Sequence, residues 1–336
     1  MKQLLTAVAA TACIGAGAMT FTSRDLTVTA PDGLTMGATI TMPDSAAPRG
    51  AVVLATGSGI QNRDEEVLGV KPFKRLAEYL STHGYAVLRV DDRGLDDPTA
   101  AATAGMPVIY DDIRAAVGVM DSLCHGVPLG VIGHSAGGNN AIRLGADDPR
   151  IDFIVTMAAP AWRGDSVIMS QARAISVAMT GSWGAEAMER RLLDIARSPL
   201  PRASASLMML SLMTQEIGDM ANVPGVTEQL SGQIDQMLGP WYRDMLRYDP
   251  ADDIARVKVP FLALNGDRDM QVLPSNLKTI KDLNPSSDTL TVRGHNHLFE
   301  QCATGLPDEY GKGDGAPSDI VLTIITEWLD NTTARR

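Results

Sequence analysis

Residues 129–145 constrain the fold most, because a glycine-flanked serine there joins an apolar run to a helix-like segment. Residues 129–132 have the length of a buried strand, and residues 133–137 read Gly-His-Ser-Ala-Gly, which fits Gly-x-Ser-x-Gly. Glycines on both sides let the backbone turn sharply and expose the serine hydroxyl at a sheet edge. The pattern predicts strand, tight turn and helix, with Ser135 as a candidate nucleophile. An ordinary glycine-rich turn is the alternative.

Apolar runs of strand length alternate with segments of helical periodicity along most of the chain. We predict helices over residues 73–83, 110–123, 139–145, 275–283 and 319–329. We predict strands over residues 26–28, 36–42, 51–55, 85–90, 129–132, 153–157, 259–264 and 289–292. The first two strands should form a hairpin around residues 30–33. The alternation indicates an α/β fold, with a mostly parallel, twisted sheet flanked by helices.

The alternation stops at about residue 161 and resumes at about residue 250. The interval shows no clear strand pattern, and it contains over half of the 17 methionines. Methionine side chains adapt to irregular spaces, so we predict a helical cap, or lid, that shapes an apolar pocket above the sheet. Packing of the cap helices on one another is the alternative role of these methionines.

The first residues have the pattern of a secretory signal peptide. Lys2 precedes an uncharged stretch over residues 4–18, which ends in the small residues Ala-Gly-Ala. We expect a signal peptide over residues 1–18, export to the periplasm or the medium, and one domain over residues 19–336. Lipid attachment at Cys13 is the alternative. The remaining cysteines, at positions 124 and 302, should lie at opposite edges of the sheet and stay free or buried thiols.

The charge of the chain limits the partners that it can bind. The formal net charge is −11 and no basic patch stands out, so we expect no nucleic-acid partner. The cysteines have no metal-ligand spacing with histidine, and we expect no metal. The glycine-rich loop over residues 56–64 lacks Gly-Lys-Ser/Thr, and no dinucleotide fingerprint follows it, so we expect no cofactor. The sequence leaves the oligomeric state open.

A serine hydroxyl becomes a nucleophile only when a base lies within hydrogen-bonding reach and a carboxylate orients that base. The chain has five histidines. His83 and His125 lie in predicted turns at the opposite edge of the sheet, and His134 should point away from its neighbouring serine and pack the turn. His295 and His297 remain, in the loop after the last strand. We favour His297, because apolar residues that can anchor the loop follow it, and His295 is the alternative.

A tetrahedral intermediate at an attacked carbonyl needs two backbone N–H donors directed at its oxyanion. Ala136, the residue after the candidate nucleophile, should supply one donor. The second should come from the loop over residues 56–64, where glycines let the backbone approach a substrate closely. We favour the Ser58 amide, with Gly59 as the alternative.

Seven segments of the chain resemble the bacterial α/β-hydrolase family often called serine aminopeptidase-like or Xaa-Pro dipeptidyl-peptidase-like. Several members of that family are carboxylesterases. The resemblance implies the α/β-hydrolase fold and a serine hydrolase without a cofactor. The matching segments are 57–65 (GSGIQNRDE), 91–94 (DDRG), 133–138 (GHSAGG), 248–250 (YDP), 265–269 (NGDRD), 296–299 (NHLF) and 304–307 (TGLP).

Two aspartates qualify by position as the carboxylate that orients the base. Asp267 and Asp269 both follow the strand that ends at residue 264. The spacing of the family acid favours Asp269 and leaves Asp267 to cap the turn. The resulting chain order of Ser135, Asp269 and His297 is the order expected on this fold. We call the loop over residues 56–64 the oxyanion loop. We also expect Arg63, Asp64 and Arg93 to form a buried ionic cluster that supports it, or else to be solvated loop charges.

The sequence thus predicts an exported serine hydrolase that cleaves small-molecule carboxylic esters, with short to medium acyl groups, through an acyl-serine intermediate. An aminopeptidase or other amide hydrolase with the same triad is the first alternative. Such an enzyme needs an acid to hold the substrate ammonium, for which Glu65, Glu66 or Glu186 are candidates. A non-catalytic binding protein on this fold is the second alternative.

Overall fold

The computed structural model describes residues 20–44 and 47–334, and these residues build one sheet. Its strands are β1 (Phe21–Thr29), β2 (Thr35–Pro43), β3 (Gly50–Ala55), β4 (Tyr85–Val90), β5 (Leu129–His134), β6 (Phe153–Met157), β7 (Phe261–Gly266) and β8 (Asp288–Val292). Their order across the sheet is β1-β2-β4-β3-β5-β6-β7-β8. β2 runs antiparallel to β1 and β4, and all pairs from β4 to β8 are parallel. The mostly parallel sheet that the alternation predicts is confirmed.

Helices follow most of the strands. They are α1 (Pro72–Thr82), α2 (Pro98–Ala102), α3 (Met106–Leu123), α4 (Ala136–Asp147), α5 (Gly164–Thr180), α6 (Glu186–Arg197), α7 (Arg202–Ile217), α8 (Val226–Met237), α9 (Pro240–Arg247), α10 (Ala251–Arg256), α11 (Ser275–Leu283) and α12 (Asp319–Thr333). Within residues 20–44 and 47–334, no helix combines the length and the apolar character that crossing a bilayer requires.

The central parallel strands are buried on both faces, because helices cover both sides of the sheet. Every residue of β3, β5, β6 and β7 is buried. On one side, α3, α4 and α11 pack on the sheet, and on the other side α1 and α12 do so. The apolar residues of α1 that face the sheet recur at helical spacing, at positions 73, 76, 77 and 80. Strand ends that carry polar residues are thereby fixed on a rigid frame.

The segment between β6 and α10 is helical, and we call α5 to α9 the cap helices. They share an apolar cluster of their own, which includes Leu193, Met209 and Leu246. The two ends of the segment meet, since the Gly164 amide donates to the Tyr248 carbonyl at 3.1 Å. A side chain at Gly164 would collide with a carbonyl of α9, so glycine permits this close approach.

The N-terminal predictions fall on residues that the structure does not describe. The signal peptide expected over residues 1–18 and the alternative lipid site at Cys13 both lie there. Cys124 is buried, Cys302 is half-buried, and each is a free thiol. Burial raises the pKa of both thiols above the ordinary value. Both groups therefore stay protonated at neutral pH.

Candidate active site

Ser135 sits on the sharp turn between β5 and α4, in a conformation that side chains rarely adopt. Its φ is 50°, and its amide donates to the Met157 carbonyl of the neighbouring strand at 2.8 Å. Glycine is required on both sides: a Cβ at Gly133 would meet the Gly137 carbonyl, and a Cβ at Gly137 would meet the carbonyls that end β3. Such strain persists only where the surrounding packing imposes it, and it often accompanies function. The turn leaves Ser135 partly exposed above the sheet.

Asp269 and His297 form a buried hydrogen-bonded pair. The His297 Nδ1 lies 2.8 Å from Asp269 Oδ2, and the two residues are 4% and 2% exposed. The other carboxylate oxygen, Oδ1, accepts the backbone N–H groups of Gln271 at 2.8 Å and Val272 at 2.9 Å. A carboxylate can only accept, so Nδ1 carries the proton. This tautomer leaves Nε2 as the nitrogen that can take a proton from a serine.

The other candidates for base and acid have structural roles in the same loops. The two ring nitrogens of His295 lie 2.7 Å from the Arg293 carbonyl and 2.7 Å from the Ser318 hydroxyl. The exposed Asp267 accepts the Gly294 amide at 2.6 Å and thereby closes the turn between the two loops. The geometry therefore assigns neither residue to proton transfer, and it joins the two favoured residues instead.

The glycine-rich loop lies directly against the nucleophile turn. A Cβ at Gly57 would stand 3.4 Å from the Ser135 Cβ. The next residue, Ser58, is exposed, and within the part of the chain that the structure describes its amide has no hydrogen-bond acceptor. The Ala136 amide opens α4, and N–H groups in the first turn of a helix have no partner within it. The two amides expected to hold an oxyanion are thus available beside the serine.

Glu65 and His134 lie behind this site and connect its loops. The Glu65 Oε1 accepts the Gly57 amide at 2.7 Å and lies 2.9 Å from His134 Nδ1. On the other side of the ring, His134 Nε2 lies 3.0 Å from the His297 carbonyl. The sequence predicts only that His134 packs the turn, and it offers Glu65 only as a possible ammonium ligand. No periodicity signals their contact, because they are 69 residues apart.

The ionisation of His134 follows from these contacts. Burial opposes a charged imidazole, but the Glu65 carboxylate outweighs it and raises the pKa of His134 above its ordinary value. The rings of His134 and His297 lie with their centroids 4.8 Å apart. The pair therefore places an imidazole with a raised pKa beside the ring of the candidate base.

Asp92 holds the oxyanion loop at two points. Its Oδ1 accepts the Thr56 hydroxyl at 2.6 Å, and its Oδ2 accepts the Gln61 amide at 2.8 Å. Burial raises the pKa of Asp92 to about 7, although these two hydrogen bonds lower it. The loop thus depends on a carboxyl group that titrates near neutral pH.

The prediction that Arg63, Asp64 and Arg93 form one ionic cluster is wrong, because each pairs with a residue outside that set. Each of its three charges has a partner of its own, and the pairs are Arg63–Asp91, Asp64–Arg89 and Arg93–Asp112. Two of these partners come from β4 or the residue after it, and the third comes from α3. The expected charges support the loop through these strands and helices, and sequence proximity alone does not reveal such partners.

Comparison with known proteins places the chain in a family. A family model described as serine aminopeptidase, S33, matches residues 47–295. The chain belongs to the serine aminopeptidase S33 family. The S33 match includes the oxyanion loop, Ser135 and Asp269, and it ends two residues before His297. Membership of S33 confirms the resemblance that the motifs indicate.

The relatives of this S33 chain include proteins named as esterases. Esterase EstD of Thermotoga maritima is 27% identical over an alignment of 316 residues, which covers 92% of this chain and 68% of EstD. An esterase structure from Pyrococcus furiosus superposes with a TM-score of 0.55 at 16% identity, covering 93% of this chain and 92% of that one. The α/β hydrolase GrgF from Penicillium sp. sh18 gives 0.56 at 16% identity, covering 93% and 99%. The expected α/β-hydrolase fold is confirmed.

Proposed function

We propose that this S33 family member is a serine hydrolase that cleaves carboxylic esters through an acyl-serine intermediate. The observation that carries the proposal is the buried Asp269–His297 hydrogen bond of 2.8 Å, in a chain whose partly exposed Ser135 lies on a strained turn. A carboxylate-oriented imidazole is what a serine hydroxyl requires to attack a carbonyl at neutral pH.

Each group has one role in the proposed reaction. The Ser135 oxygen attacks the ester carbonyl carbon while His297 Nε2 takes the hydroxyl proton, and Asp269 stabilises the resulting imidazolium. The amides of Ser58 and Ala136 donate to the oxyanion. His297 then gives the proton to the leaving alcohol as the C–O bond breaks. Water attacks the acyl-serine by the same route, which releases the carboxylic acid and restores the serine.

Three acidic side chains were candidates to hold the ammonium group of an aminopeptidase substrate, and each has a partner within the chain. Glu65 is buried against His134, Glu66 pairs with Lys71 at 3.1 Å, and Glu186 pairs with Arg190 at 3.0 Å. EstD and the Pyrococcus protein are both named esterases. These observations support ester cleavage over aminopeptide cleavage by the same triad.

Replacement of the nucleophile tests the proposal. Ser135→Ala is expected to abolish turnover of p-nitrophenyl acetate and labelling by a fluorophosphonate probe, because both need the same oxygen. Ser122→Ala, at an exposed position on α3, is the matched control and should keep wild-type rates. Retained activity in Ser135→Ala would reject this nucleophile.

The wild-type protein separates the remaining alternatives. Faster turnover of an aminoacyl p-nitroanilide than of the ester would favour the amide hydrolase. A folded protein with neither turnover nor labelling would instead be a binding protein on this fold. A series of p-nitrophenyl esters tests the acyl preference, for which we propose short to medium chains because the cap sequence is apolar.

We also infer export of the protein, since the first 18 residues have a signal-peptide pattern. N-terminal sequencing of the mature protein from the periplasm or the medium is expected to begin near residue 19. A mature protein that begins at residue 1 in the cytosol would contradict the proposal.

A further inference from the structure

The carboxylate of Glu65 is buried and has few partners. Glu65 is 2% exposed, its Oε1 lies near the Gly57 amide and His134, and its Oε2 has no hydrogen-bond partner among the described residues. A buried carboxylate that is held only by a neutral amide is strongly unfavourable, and a nearby positive charge offsets the cost. His134 is the group placed to supply that charge.

Both ring nitrogens of His134 face acceptors. Nδ1 lies 2.9 Å from the Glu65 carboxylate, and Nε2 lies 3.0 Å from the His297 carbonyl oxygen. A neutral imidazole has one N–H donor, whereas an imidazolium has two. The two contacts are therefore satisfied together when the pair holds one additional proton.

We propose that Glu65 and His134 act as a positioning pair that links the oxyanion loop to the loop that bears the base. The inference rests on the proposed function. The chain of hydrogen bonds runs from the Gly57 amide, next to Ser58, through Glu65 and His134 to the His297 carbonyl. Among the described residues, neither member hydrogen-bonds to Ser135 or to a ring nitrogen of His297, but each fixes the backbone beside a group of the proposed site.

The proton that the pair holds makes this link sensitive to pH. The titratable groups that face His134 are Glu65 directly after the oxyanion loop, His297 from the loop after β8 and Asp269 from the loop after β7. When the pair loses its proton, Nδ1–H remains on the carboxylate and the Nε2 bond to His297 is lost. The link is thus complete while the pair holds this proton, and it weakens as pH rises through the raised pKa of His134.

Glu65→Gln is the first test, because it preserves shape and an oxygen for Gly57 but removes the charge that keeps His134 protonated. We expect kcat for p-nitrophenyl acetate to fall by about 10- to 100-fold, since small displacements of reacting groups have effects of that size. KM should change little, because the pair does not touch substrate. The alkaline limb of the kcat profile should move to lower pH.

His134→Gln and the double variant complete a mutant cycle. His134→Gln retains an N–H donor but no charge, so kcat should fall similarly and the His134-dependent alkaline limb should disappear. Residues that act as one unit are not additive, so the double variant should be no slower than the slower single variant. His125→Gln is the matched control, because His125 is exposed before β5, at the opposite end of the strand from the site.

Three outcomes would overturn the pairing. One is a Glu65→Gln pH profile that superposes on the wild type, and another is multiplication of the two single effects in the double variant. The third needs no variant and so is unaffected by any failure to fold: an NMR titration that finds the His134 ring neutral below pH 6.5. Activity that survives in Ser135→Ala would instead reject the proposed function, so the two failures are distinguishable.

Discussion

Asp269 uses its two carboxylate oxygens for different purposes. Oδ1 accepts two backbone amides, and Oδ2 faces the base. In Asp269→Asn the amide NH2 would face His297 Nδ1 and place the proton on Nε2, which is the wrong tautomer. We expect kcat for p-nitrophenyl acetate to fall by on the order of 10³- to 10⁴-fold with little change in the thermal unfolding midpoint.

The neighbouring aspartate offers the control for that substitution. Asp267→Asn changes an exposed side chain that supports a turn, so kcat should stay within a few-fold of wild type. Equal losses in the two variants would contradict the assignment of the acid.

At the scale of residues, the sequence predicts which loop carries the base but not which of its two histidines acts. The chain order and the Gly-x-Ser-x-Gly pattern predict which loops carry the three groups, and His297 forms the expected bond to Asp269. The choice between His295 and His297 depends on which ring nitrogens are already occupied. One of the hydrogen-bond partners of His295 is Ser318, which is 23 residues away in the sequence, and no local pattern indicates this contact.

At the scale of elements, the turn between β5 and α4 depends on the absence of side chains. Gly137→Ala would push a methyl group into the carbonyls of Ala55 and Thr56 at the end of β3. Overpacking of this kind costs about 1–3 kcal/mol or more, and here the obstacle is backbone that cannot rotate away. We expect urea unfolding to show a loss of about 3 kcal/mol, together with reduced esterase turnover.

A second glycine provides the matched control. Gly232 lies inside α8 and has open space where a Cβ would point. Gly232→Ala should therefore stabilise the protein by about 0.5–1 kcal/mol, because alanine favours a helix interior. Equal destabilisation by the two substitutions would rule out close packing as the cause.

For the whole molecule, Asp92 makes stability depend on pH. Its pKa is about 7 in the folded protein against 3.8 as the ordinary value, so the folded chain binds its proton more tightly. The stabilisation is complete below pH 3.8, declines as pH rises through this window and is lost above pH 7. Because a difference of one pKa unit corresponds to about 1.4 kcal/mol, the size of this stabilisation is roughly 4 kcal/mol.

Asp92→Asn tests this linkage, because an amide can accept from Gln61 and donate to Thr56 without titrating. The unfolding free energy of the variant should decline less between pH 5 and pH 9 than that of wild type, as measured by urea denaturation. Parallel pH profiles for the two proteins would contradict the assignment.

The fold as a whole follows from the sequence more closely than its ionic contacts do. Alternating apolar runs predict the parallel sheet, since burial on both faces requires continuous apolar strands. None of the residues of the short helix α2 is buried, so α2 has no apolar periodicity and the sequence pattern does not predict it. The partners of Arg63 and Arg93 are brought close by the end of β4 and by α3, and composition does not encode them.

The hydrogen bond between Gly164 and Tyr248 has an evolutionary consequence. The chain enters and leaves the cap segment through these two adjoining residues, so the cap helices are attached to the rest of the fold at one place. Such a segment can be grafted or lengthened as long as its two joints still meet. An exchange bounded by the two joints would replace the cap helices and leave Ser135, Asp269 and His297 in place, so the cap and the scaffold can diversify independently.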